Sequence, residues 1–190
     1  MLVQILKLGV VAGAGYTTWK ALTKQRRIPF FREALQSGVA EVAAARSAQR
    51  RGASAELRAF AQQLEREHGE HNVELAQASG LDQPEPDARQ VAALRKVERL
   101  QGRDYDRAWL EHVARSHRNA IRLYEREVAQ QGPGGPLAED LLPGLRAHVA
   151  RVGQLQRAAK AGEAAAELSA QDGGSDGGTA AVYGEPRAVM

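Results

Sequence analysis

The chain has no cysteine. A disulfide framework, a thiolate metal site and a cysteine nucleophile are therefore excluded, and with them zinc ribbons, iron–sulfur clusters and cysteine proteases. Aromatic residues make up only 5%, and β-branched runs are missing, which argues against a sheet-based core. A long apolar run is missing too. The most apolar window, residues 2–19, is interrupted by Gln4 and Lys7, and its unbroken part covers only Leu8 to Trp19. A spanning helix needs about 20 apolar residues. No Ser-His-Asp spacing, glycine-rich phosphate loop or pair of catalytic carboxylates stands out, so the sequence leans away from an enzyme.

Net charge is +3 over 190 residues, and it is segregated. Residues 1–32 carry six bases and no acid; residues 163–190 carry five acids and one base, Arg187. The stretch between them is left nearly neutral at +1. A nucleic-acid-binding domain concentrates positive charge on its folded part, so no nucleic-acid partner is expected.

What is present in abundance is alanine, leucine, glutamate, glutamine and arginine, a helix-forming composition. Leu57, Ala61, Leu64, His68, His71, Leu75 and Ala78 step by four and three, the seam of a helix packed in a bundle. Phe31, Leu35, Gly38, Val42 and Ala45 mark a helix from Pro29 to Arg51. Leu110, Val113, His117, Ala120 and Tyr124 mark one from Asp104 to about Gln131, and Leu141, Leu145, His148, Val152 and Leu155 one from Leu137 to Ala161. Ser54 and Gly80 are cap and stop of the second helix. A shorter helix, Ala88 to Gln101, crosses between the halves. Pro143 should kink the last helix. The fold class is all-α: an up-down four-helix bundle over 29–161 with a short crossover helix.

Residues 1–28 form a basic, apolar segment read as a membrane association. It is a weak anchor with Lys7 snorkelling, a degenerate signal with Ala12-Gly13-Ala14 at the cleavage site, or an interfacial helix held by Trp19 and Lys20–Arg27. An ordinary exposed helix is the plain alternative. Residues 162–190, acidic and rich in Gly and Ala, are expected to be disordered.

Four of the five histidines, His68, His71, His117 and His148, occupy seam positions; His112 does not. Glu41, His68, His117 and His148 lie near the midpoints of four long helices, so one bundle layer should hold a carboxylate and three imidazoles. His71 falls a turn away. Three buried imidazoles must bond one another, water or a metal. Neutral imidazole and carboxylate suit zinc, iron, manganese or copper. Glu65 stands three before His68, the carboxylate-plus-imidazole spacing of di-metal bundles. The second such motif is missing, because Ala114 and Leu145 stand three before His117 and His148. A single ion held by His68, His117 and His148 with Glu41 or Glu65 is therefore the metal expectation, and a dinuclear oxygen-activating centre is not.

LRAFAQQLEREHGEHNVELAQASG, GRDYDRAWLEHVARSHRNAIRLYERE and LLPGLRAHVARV together resemble domain-of-unknown-function family 4142. The resemblance covers roughly residues 33–160. It implies a ferritin-like four-helix bundle, an envelope-targeting N-terminus in many members, and recurrent polar positions at Glu41, Glu67-His68, Tyr105-Asp106, His117 and Leu142-Pro143 with His148. It implies no activity. Two readings stand. One is a non-catalytic, membrane-associated or envelope binding or structural module, self-associating or with an unidentified protein partner, whose His/Glu layer fixes helix register. The other is a small mononuclear transition-metal protein.

Overall fold

The computed structural model describes the backbone of residues 11–172, and side chains from 29 to 168. Lys7 and the tail beyond Asp172 lie outside the described residues. Five helices follow in order: α1 (Val11–Arg51), α2 (Ala55–Ser79), α3 (Ala88–Glu98), α4 (Gly102–Ala129) and α5 (Gly135–Asp172). Among the described residues there is no strand. None of these helices is long and apolar enough to cross a membrane.

Two apolar clusters define the bundle. One gathers Ala45 and Ala48 at the end of α1, Leu57 and Phe60 at the start of α2, Tyr105 and Trp109 at the start of α4, and Val152 and Leu155 of α5. The other gathers Phe30, Phe31 and Leu35 of α1, Leu75 of α2, Tyr124 of α4, and Leu141 and Leu142 of α5. α1 and α2 are thus antiparallel, as are α4 and α5, while α2 and α4 run the same way. The segment containing α3 must carry the chain back along the bundle, the single-crossover connectivity found in ferritin-like folds. Each large apolar side chain buried here stabilises by about 1.5–3 kcal/mol. The buried Trp109 is also satisfied, since its indole N–H donates to Ala44 O at 2.9 Å.

Local signals set most helix ends. Ser54 accepts from Leu57 N at 3.1 Å, and Gly80 closes α2 in the left-handed region at φ 68°, where a side chain would be strained. Asp87 and Gln90 form a capping box on α3. Several boundaries differ from the sequence reading, among them the end of α3 at Glu98 and the start of α5 at Gly135. Pro29 does not start α1 but lies inside it, where it forgoes one backbone hydrogen bond. α4 begins at Gly102 with no side-chain cap, leaving Asp104 in its first turn. α5 continues past Gly162 to Asp172, because one glycine costs only about 1 kcal/mol against a following alanine-rich run. Pro143 is likewise inside α5.

The bundle forms a compact unit that ends at Leu155, and a second unit begins at Gln156. Within the second unit, residues 156–172 are helical.

A candidate metal centre

Between the two apolar clusters lies a polar layer. Its members are Glu41 of α1, His68 of α2, His117 of α4 and His148 of α5, each at most 5% exposed. The midpoint arithmetic therefore brings together the four residues it singled out. The three imidazole rings pack with centroids 5.0, 5.1 and 5.4 Å apart. Nε2 of His68 is 3.1 Å from Nε2 of His117, which is 3.1 Å from Nδ1 of His148.

The outer nitrogens determine what the inner ones can do. His117 Nδ1 lies 3.0 Å from Val113 O. A carbonyl only accepts, so this nitrogen carries the hydrogen and Nε2 of a neutral His117 is a bare lone pair. His148 Nε2 lies 2.6 Å from Glu67 Oε2. Burial pushes the Glu67 carboxyl up, but hydrogen bonds from His148 and Gln63 outweigh it and hold its pKa below the ordinary value. The ionised carboxylate takes the hydrogen on His148 Nε2, so Nδ1 of a neutral His148 is bare as well. His117 Nε2 and His148 Nδ1 are then two lone pairs facing each other at 3.1 Å. His68 can supply one hydrogen to His117 but none to that contact. Only a cation between them, a metal ion or an extra proton, removes the conflict.

Burial disfavours the proton. It holds His68 well below 6.5, with the neighbouring His117 and His148 adding to the effect, and it brings His117 down to about 4. It also lowers His148, against the opposing pull of Glu67. The trio could hold a metal. One facing nitrogen from each of His68, His117 and His148 falls in a group within 4.8 Å of one another. Two nitrogens 3.1 Å apart subtend roughly 100° at an ion about 2.0–2.1 Å from each, near the tetrahedral angle. Both outer hydrogen bonds, to a backbone carbonyl and to a carboxylate, are the partners that metal-bound histidines ordinarily keep.

The remaining sequence-selected residues stand outside this trio. Glu41 Oε2 is 3.6 Å from His117 Nδ1. Burial raises Glu41 to about 7, against hydrogen bonding from Ser116. Glu65 is turned away: its oxygens are taken by Arg46 and Gln49, each at 2.6 Å. The i, i+3 spacing fixes direction along α2 but not reach, and side chains of α1 capture the carboxylate first. His71 stacks edge-on against His68 with centroids 5.9 Å apart, and His112 is half-buried beside Glu41. Glu67, the carboxylate that orients His148, is not a seam residue. Its only sequence signal is its place beside His68 among the recurrent polar positions.

The family model described as Domain of unknown function (DUF4142) matches residues 17–155. Comparison with the curated proteins and with the solved structures finds no match.

Proposed function

The chain belongs to the family described as Domain of unknown function (DUF4142), whose name assigns no activity, and we propose a function from the site itself: the protein binds one transition metal ion through His68, His117 and His148. One observation carries the reading, the 3.1 Å contact between two ring nitrogens whose hydrogens are both engaged elsewhere. An all-imidazole set favours zinc or copper, with iron next. Manganese, which prefers oxygen ligands, loses ground because neither Glu41 nor Glu65 joins the set. A groove lined by Gln63, Glu67, Ala147, His148 and Arg151 lies against the outer side of His148.

The competing reading is a metal-free polar layer that fixes helix register. The 2.6 Å Glu67–His148 pair favours it to the extent that His148 is a doubly protonated cation. Metal analysis separates the two. Full-length protein stripped with chelator, reloaded with zinc and desalted should retain one equivalent per chain. His68→Ala and His117→Ala should each retain far less while keeping the helical circular dichroism of wild type. No retained metal in folded wild type would leave the register reading standing alone.

A further inference from the structure

Beside the trio, on the side facing α1, is a chamber of about 10 Å³, the size of about one water molecule. Gly38, Glu41, His68, His71, Asn72 and His117 are among its walls. Two side-chain atoms on those walls, Glu41 Oε2 and Asn72 Oδ1, are buried without a hydrogen-bond partner, in residues 5% and 2% exposed. Both are acceptors. Ser116 bonds the Glu41 carboxyl, but these two atoms themselves have no partner, and leaving either without a donor is costly. The closeness of α1 to α2 holds the arrangement, since a Cβ on Gly38 would meet Asn72 Oδ1 at 2.0 Å.

We propose that this chamber holds the fourth ligand of the ion, a single water molecule that donates to Glu41 Oε2 and Asn72 Oδ1. It rests on the three-histidine reading above. Water has the required atoms: two O–H donors for two orphaned acceptors, and a lone pair for the metal. Three protein ligands leave one position of a four-coordinate ion for such a molecule. The chamber also sets the ligand class. It takes one water-sized ligand and, unless a side chain moves, nothing bulkier.

Pulsed electron paramagnetic resonance on the copper(II)-loaded full-length protein, in H₂O and in D₂O, tests both levels. The expected wild-type spectrum has modulation from three imidazoles and, in D₂O, the strong deuterium coupling of an inner-sphere water. Asn72→Leu, which removes the acceptor and fills the space, should lose the deuterium coupling and keep the imidazoles; Asn72→Asp should keep both. Three imidazoles without inner-sphere deuterium in wild type would overturn the water and leave the metal site intact. Unchanged deuterium coupling in Asn72→Leu would also overturn it. Fewer than three imidazoles would overturn the three-histidine site and the water together. Should Asn72→Leu not fold, the wild-type pair of spectra decides.

Discussion

At the scale of the residue, the behaviour of this site turns on which nitrogen carries a hydrogen. Val113 O and the Glu67 carboxylate fix His117 and His148 from outside, so their inward nitrogens are lone pairs before any ion arrives. Removing an outer partner should therefore weaken metal binding without touching a ligand. Glu67→Ala is expected to lower zinc affinity about 10- to 100-fold, measured by competition with a chromophoric chelator. Affinity equal to wild type would show that His148 needs no such orientation. Glu67 also marks what the sequence conceals. Adjacent helix positions point about 100° apart, so a residue next to a seam histidine falls outside any seam count, and only the folded neighbour α5 shows what it touches.

Protons supply a second residue-scale test, on the metal-free protein. Burial lowers the folded pKa of His68, His117 and His148, and does the same to the partly buried His71 and His112. Below about 6.5 the unfolded chain then binds more protons than the folded one, so stability falls as pH drops from there toward 4. Glu41, raised to about 7, works the other way between 4.5 and 7, because there the folded chain holds the extra proton. Glu67, held low, adds a loss only in more acidic solution. The histidines outnumber Glu41, and each unmatched proton is worth about 1.4 kcal/mol per pH unit. Melting temperature should fall from pH 6.5 to 5, and more steeply in Glu41→Gln. A flat profile would contradict the burial of neutral imidazoles.

At the scale of the element, α2 was the most legible part of the chain. Its cap, stop and four-three stepping are local properties, and Ser54, Gly80 and the inward positions Leu57, Ala61, Leu64, His68 and Leu75 behave accordingly, whereas Asn72 is buried in place of the half-buried His71 and Ala78 is exposed. Ser54→Ala should cost about 1 kcal/mol by urea denaturation, the usual value of an N-cap; no loss would show that the Asp106 carboxylate, which accepts from Ala53 N and Ser54 N, holds this corner alone. Ends that depend on a balance of neighbours were less legible. Pro29 and Gly162 are breaking residues by rule, yet each sits inside a helix whose flanks outweigh it. Glu65 failed to join the histidines for a related reason: its partners Arg46 and Gln49 belong to another helix, and spacing along one helix does not register them.

At the scale of the whole molecule, the polar layer divides the core into two apolar clusters and ties α2, α4 and α5 through one point. As whole helices α1 and α5 are longer than α2 and α4, but the stretches 29–51 and 135–155 that pack beside them are of similar length, which is why residues midway along those stretches share the layer. An ion at that point binds the folded chain and not the unfolded one, so it must stabilise the fold as a whole. At a free metal concentration about 100-fold above Kd the gain is about 2.7 kcal/mol, a rise of roughly 10 °C in Tm for a bundle of this size. Scanning calorimetry of stripped and zinc-loaded protein would reveal it, and the rise should vanish in His117→Ala. An equal rise in that variant would place the binding elsewhere.

The most direct measurement is zinc K-edge X-ray absorption on the reloaded full-length protein. The account predicts one zinc per chain with a first shell of three imidazole nitrogens at about 2.0–2.1 Å, reduced in His68→Ala and His148→Ala. A protein that holds no zinc, or holds it through carboxylate oxygens without imidazole scattering, would contradict it.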